Sequence, residues 1–294
     1  MRQQAHAILD ALFDSADPRD HRLASQMLAE LHQSIQVLSP LRNHRKVALF
    51  GSARTPDTHP DYAVAYAVSK ALAAANWLII TGAGGGIMAA GNDGAGPNNS
   101  IGLNIDLPFE QAANAFIKDS PLLIQYTYFF LRKLFFVRES DAVIILPGGF
   151  GTFDEALELI TLVQTGRCSP RPIILLDHPE SDFWANFLDY CRTNLATMID
   201  PSDLDSIYHT HSVAAAVQYS QDFYKQYQSL AYHDGCATLI LNHAISSATA
   251  IADLAAQGID YTPPTKTTPA LIKLRIDGVF SRLYSVIRMI NTLS

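Results

Sequence analysis

From residue 47 onward the chain alternates short apolar runs with stretches that read as helices, and no other feature restricts its fold so tightly. The runs cover 47–50, 77–80, 101–105, 142–146 and 172–176. Helix-like segments lie between and after them at 62–75, 87–94, 130–139, 153–164 and 183–198. Strands buried on both faces appear as unbroken apolar runs, and strand–helix alternation feeds parallel pairing. The pattern predicts an α/β fold with a doubly wound, Rossmann-like parallel sheet over residues 46–230. A last strand is expected at 205–211 and a helix over 213–230.

The flanks read differently. Residues 1–45 are expected to form a helical N-terminal segment. Leu23, Met27, Leu28, Leu31, Ile35 and Leu38 recur at helical spacing, and Ser39-Pro40 ends the run. Residues 231–294 read as a small α+β appendage. Its strands are expected at 237–241 and 271–276, its helices at 246–257 and 279–293, and a loop at 261–268.

Composition excludes several classes. Hydrophobic residues make up 48% and charged residues 17%, which is incompatible with a disordered chain. A net charge of -7 argues against a nucleic-acid partner, since phosphate backbones select basic surfaces. The apolar runs are too short to cross a bilayer, so no membrane partner is expected. Arg2, His6, Asp10 and Asp14 do not fit a signal peptide. Cys168, Cys191 and Cys236 form no C-x-x-C pair, which fits a reducing, cytoplasmic setting rather than a disulfide scaffold.

Ligands of a doubly wound sheet bind beyond the carboxyl ends of its strands. Three glycine turns follow apolar runs there: Gly51-Ser52-Ala53-Arg54, Thr81-Gly82-Ala83-Gly84-Gly85-Gly86, and Pro147-Gly148-Gly149-Phe150-Gly151-Thr152. Such turns bring backbone N–H groups close to a phosphate, and the following helix adds its dipole. No P-loop is present, and a Gly-x-Gly-x-x-Gly string fails at Ile87. Neither ATP nor NAD is therefore implied, and no cofactor is expected.

Thr152 and Glu155 have two readings. They fit a capping box, with threonine at the N-cap and glutamate at N3. They equally set a carboxylate beside a phosphate turn. Arg132 and Lys133 open an apolar helix against its dipole, a conflict that a nearby anion would remove. His209 and His211 share a strand face, but no carboxylate or cysteine stands near them in the sequence, so they read as a surface pair and no metal is expected. Nothing marks Cys168 as a nucleophile.

The segment Pro147-Gly148-Gly149-Phe150-Gly151-Thr152-Phe153-Asp154-Glu155 matches the P-G-G-x-G-T-x-x-E motif of the LOG ("Lonely Guy") family of nucleotide phosphoribohydrolases, and Arg132-Lys133 falls on its second motif. Gly51-Ser52-Ala53-Arg54 and residues 101–111 resemble the family's longer bacterial branch. The resemblance spans about residues 46–230 and continues more weakly into the appendage. It implies hydrolysis of the N-glycosidic bond of a nucleoside 5′-monophosphate, AMP-like or a cytokinin riboside monophosphate, to free base and ribose 5-phosphate. It also implies at least a homodimer.

By position, Glu155 and Arg132 match the catalytic pair. Gly148, Gly149, Gly151 and Thr152 match the phosphate-binding turn. Gly84, Gly85, Gly86, Ser52, Lys133 and Asn104 are expected as further substrate contacts. The chain departs from the longer branch at Ala83, Gly85 and Ala89, where that branch has glycine, proline and glutamate, and at Asn114-Ala115-Phe116, where it has N-P-Y. The rival is a nucleotide sensor that binds without cleaving. A pyridoxal-phosphate decarboxylase would need a Schiff-base lysine, and Lys133, paired with Arg132, reads as a phosphate-type residue instead. The aromatic run Tyr126, Tyr128, Phe129, Phe130, Phe135 and Phe136 fits a dimer face or ordinary core.

Overall fold

The structure, a computed structural model, describes residues 2–14, 17–107, 112–276 and 280–293. The strands β1 (Lys46–Phe50), β2 (Leu78–Thr81), β3 (Ser100–Ile105), β4 (Leu123–Tyr126), β5 (Ala142–Ile145), β6 (Ile173–Leu176) and β7 (Ile207–Thr210) form one sheet. Their order is β4-β3-β2-β1-β5-β6-β7, and every pairing is parallel. This is the doubly wound α/β sheet that the alternation predicts. The strand order reverses between β1 and β5, and such a reversal opens a crevice at the carboxyl ends of the two strands.

Alternate residues of β1 serve opposite faces. Val47 and Leu49 pack with Val68 and Leu72 of α3 (Pro60–Ala74), Ile87 of α4 (Ile87–Ala95) and Ala216 of α8 (Val213–Asp222). Ala48 joins the opposite core with Phe135 of α5 (Phe129–Glu139), Leu159 of α6 (Phe150–Gln164) and Trp184 of α7 (Phe183–Asn194). The N-terminal segment forms α1 (Arg2–Phe13) and α2 (Pro18–Leu38). Glu30 Oε1 accepts from Thr127 N at 2.8 Å, and Ser34 Oγ meets Tyr126 OH at 2.7 Å. These bonds fasten α2 over the β4 edge, next to α5.

A second, antiparallel sheet follows in the order β10-β11-β9-β8, from β8 (Tyr227–His233), β9 (Cys236–Leu241), β10 (Ile259–Thr262) and β11 (Ala270–Arg275). With α9 (Ala248–Ala256) and α10 (Arg282–Asn291), it shares one apolar core with the α5–α7 side of the first sheet. Tyr284 OH closes this junction by donating to Arg171 O at 2.9 Å.

Several expectations need correction. The helix read over 213–230 ends at Asp222, and β8 begins five residues later. Phe223, Tyr224 and Tyr227 imitate helical spacing, but Phe223 and Tyr224 pack against the core from a turn and Tyr227 from the first position of β8. Strand β4 does not spell an apolar run because it is an edge strand that alternates buried and exposed side chains. Strand β10 begins within the segment just before the expected loop and extends into it, to Thr262.

Candidate active site

The crevice at the strand-order reversal is built by the turns after β1 and β5. They are stitched together by Ser52 N donating to Pro147 O at 3.1 Å. A Cβ on Gly148 would strike Thr152 Oγ1 and come within 2.9 Å of Ser52 N, so only glycine permits this approach. Gly149 and Gly151 are different: a Cβ there would meet nothing within 4 Å. Their backbone faces open space at the start of α6, where the first N–H groups of a helix have no intrahelical partner. Anions bind well at such ends.

The second glycine turn supports the first, and of its residues only Gly82 lines the crevice. Gly86 has φ +57°, and its Cβ would collide with Ser52 O and the Ala53 carbonyl. Ile87 N donates to Ser52 O at 3.0 Å. Asn114 Nδ2 donates to Ala83 O at 3.1 Å, to Gly84 O at 2.9 Å and to Asn92 Oδ1 at 2.9 Å, holding the turn from behind. These bonds keep Ala83 at φ +60°, an unfavourable angle for a residue with a Cβ, where the longer LOG branch has glycine.

The capping-box reading of Thr152 and Glu155 is wrong. Helix α6 starts one turn earlier, with Gly149 at the N-cap and no side-chain cap. Thr152 N and Phe153 N both donate to Gly149 O, at 3.0 and 3.1 Å. Thr152 and Glu155 therefore lie inside the helix and are buried, whereas Asp154 points outward. Glu155 has no capping duty that accounts for it.

Arg132, on α5, faces Glu155 across the crevice, with Nη2 3.6 Å from Oε1. The guanidinium carbon sits 5.2 Å from the Phe129 ring centroid and 5.7 Å from that of Phe136. The Nε–H of Arg132 is buried without a hydrogen-bond partner. Burial pushes the Glu155 carboxyl up to about 7, against the opposing pull of Arg132 and Lys133. The same burial lowers Arg132, again opposed by Glu155. The pair is thus two desolvated charges held just beyond hydrogen-bonding distance, an arrangement typical of sites where charge develops during reaction.

Lys133 points elsewhere. Its Nζ lies 2.7 Å from Asp154 Oδ1 and 2.8 Å from Glu158 Oε2. The anion that relieves the dipole conflict at Lys133 is therefore a pair of protein carboxylates on α6.

The crevice holds a cavity of about 640 Å³. Ser52, Arg54, Arg132, Thr152 and Glu155 supply its polar side chains, and Gly149 and Gly151 its open backbone. Phe50, Met88, Ile105, Leu107, Phe129 and Phe136 line the apolar part. Of the residues expected from sequence, the cavity gathers Glu155, Arg132, Thr152, Gly149, Gly151 and Ser52. Gly148 sits one layer behind. Gly84, Gly85, Gly86 and Lys133 are not on its wall, nor is Asn104, which is buried in β3. Sequence reasoning missed Arg54 as a site residue, although it closes the first glycine turn. The expected segment Pro108–Gln111 lies outside the described residues. His209 and His211, read as a surface pair, in fact meet the buried carboxylate of Asp177.

Among the described residues, no helix is long and apolar enough to cross a membrane. A family model described as "Possible lysine decarboxylase" matches residues 86–220. A probable cytokinin riboside 5'-monophosphate phosphoribohydrolase of Oryza sativa subsp. japonica is 52% identical over 46 residues, or 16% of this chain and 18% of the relative. A cytokinin riboside 5'-monophosphate phosphoribohydrolase of Arabidopsis thaliana is 50% identical over 46 residues, or 16% of this chain and 21% of the relative. The chain thus spans about a fifth of the length of the curated relatives it matches. Among solved structures, the molybdenum cofactor binding protein of Rippkaea orientalis aligns with a TM-score of 0.43 and 19% identity, covering 61% of this chain and 96% of that one. DNA processing protein A of Helicobacter pylori aligns with a TM-score of 0.44 and 16% identity, covering 63% and 82%. Over the matched stretches the chain is similar to this family model and to these phosphoribohydrolases.

Proposed function

We propose that the chain hydrolyses the N-glycosidic bond of a nucleoside 5′-monophosphate, releasing a free base and ribose 5-phosphate. The observation that carries this reading is the desolvated Glu155–Arg132 pair, 3.6 Å apart, in a cavity whose other rim is the open N-terminus of α6. In this reading the 5′-phosphate docks on the Gly149–Gly151 backbone, with Arg54 and the Ser52 and Thr152 hydroxyls as further donors. The apolar wall takes the base.

As the C1′–N bond breaks, the base leaves with the electron pair and positive charge builds on the ribose ring. The Glu155 carboxylate faces that charge and takes the proton from the water that bonds to C1′. The departing base nitrogen picks up a proton from solvent. Arg132 favours the ionised carboxylate against its dry surroundings and offers its buried Nε–H to the substrate. The decarboxylase alternative finds no support here: among the described residues no lysine lines the cavity, and Lys133 is engaged by Asp154 and Glu158.

We assign this chemistry to the 46–230 unit, flanked by the helical 1–45 segment and the 231–294 appendage, in a cytoplasmic protein. We further propose a homodimer that covers the exposed aromatic face of α5, where Phe129 and Phe130 are 49% and 51% exposed beside the cavity. Light scattering after gel filtration tests that assembly: twice the 32.2 kDa chain mass supports it, and a monomer refutes it. Incubation with a panel of purine and pyrimidine monophosphates, followed by detection of free base, tests the activity. Base release supports hydrolysis; saturable binding without release would favour a nucleotide sensor.

A further inference from the structure

Asp177, immediately after β6, has 0% exposure, and among the described residues no lysine or arginine forms an ion pair with it. A carboxylate removed from water needs a cation or a metal beside it. The groups that face it are two imidazoles. His209 Nε2 lies 3.1 Å and His211 Nδ1 2.9 Å from the same oxygen, Oδ1. The parallel register pairs Leu175 with His209 and Leu176 with Thr210, so the end of β7 brings both histidines alongside the residue that leaves β6. Alternation along the strand puts the two on one face. Oδ2 of Asp177 accepts from Trp184 N at 3.4 Å, which orients the carboxylate from behind.

The three donor atoms lie within 4.8 Å of one another. Metal–ligand bonds of ~2.0–2.1 Å in a tetrahedral zinc site set neighbouring donors about 3.3 Å apart. The observed separations to Oδ1 need to widen by only a few tenths of an ångström. We propose that Asp177, His209 and His211 form a binding site for a divalent transition-metal ion. Zinc best matches a set of two imidazoles and one carboxylate. The His211 side chain is 39% exposed, so an ion enters from solvent and water completes its coordination.

A second group, His59, Asp61 and His178, is a weaker candidate because a donor atom of each of its three residues already accepts from a backbone N–H, whereas in the first group His211 Nδ1 meets only the His178 carbonyl, at 3.2 Å, and His209 meets no backbone group among the described residues. His59 Nδ1 accepts from Asp61 N at 3.1 Å, His178 Nδ1 from Glu180 N at 3.3 Å, and Asp61 Oδ1 from His178 N at 3.0 Å. None of Asp177, His209 and His211 lines the Glu155 cavity, so the metal site is independent of the hydrolytic reading.

The test is titration of the chelator-treated full chain with Co²⁺, followed by its visible absorption and then by displacement with Zn²⁺. One saturable ion per chain is expected. His209→Ala and His211→Ala should each weaken Co²⁺ binding by at least about tenfold, while His59→Ala leaves it unchanged. Zn²⁺ should raise the melting temperature of the wild type but not of His211→Ala, a variant chosen because its side chain is partly exposed. Absence of saturable Co²⁺ binding, binding undiminished in both histidine variants, or binding lost in His59→Ala would overturn the proposal.

Discussion

Replacing Glu155 with glutamine should make the protein more stable above neutral pH while abolishing hydrolysis. Glutamine keeps the shape of the side chain and mimics the neutral acid. The magnitude follows from burial, which moves the carboxyl from 4.5 to about 7 despite the pull of Arg132, so the loss of that pull in the variant is already counted. At ~1.4 kcal/mol per tenfold change in proton affinity, full ionisation costs the native state about 3 kcal/mol. Between the two values the folded protein holds a proton that the unfolded chain has released. Stability is therefore unaffected below about pH 4.5 and falls as the pH rises through about 7. Glutamine does not titrate and escapes this loss. Urea denaturation of both proteins should give a variant advantage of about 1 kcal/mol at pH 5 and about 3 kcal/mol at pH 8, at equal m values. An advantage that is the same at both pH values, or a variant less stable at pH 8, would refute the claim that Glu155 is a desolvated acid.

Three further outcomes follow from the same geometry. Because the proposed hydrolysis uses the carboxylate form, kcat/KM should climb with pH through about 7 and then level off, and a profile flat from acid to base would contradict it. Arg132→Ala should lower kcat/KM by about 10²-fold or more, whereas Lys133→Ala, whose ammonium is bound by Asp154 and Glu158, should change it by less than about tenfold; steady-state kinetics on both variants decide this. Gly148→Ala forces a methyl group against Thr152 and Ser52 N and should cost about 1–3 kcal/mol, read as a lower urea midpoint, while Gly151→Ala, with open space around it, should cost less than about 1 kcal/mol.

The central sheet was legible because its strands are buried on both faces and so spell unbroken apolar runs. The edge strand β4 was not, since Leu123–Tyr126 alternates exposure and carries a glutamine. Nor was β8, whose aromatic predecessors imitate a helix while packing from a turn. In the cavity, the motif spacing picks out Glu155, Arg132 and the glycine turn as neighbours, but not how their side chains are placed. The start of α6 at Gly149 cannot be read from a sequence in which Thr152 and Glu155 fit a capping box equally well. Lys133 stands beside Arg132 in the chain, yet the helix turns its ammonium toward Asp154 and Glu158. Asp177 was missed as the partner of His209 because 32 residues separate them, and only the β6–β7 pairing brings them together.

Glu155 is proposed to promote cleavage of a glycosidic bond in a bound nucleotide. The most direct measurement is simultaneous quantification of free base and ribose 5-phosphate from a nucleoside 5′-monophosphate, with wild-type protein and Glu155→Gln side by side. Equal amounts of the two products are expected from the wild type, and a loss of at least about 10²-fold in the variant, with nucleotide binding retained. Wild-type protein that binds monophosphates without releasing base, or a variant that releases base at the parent rate, would contradict it.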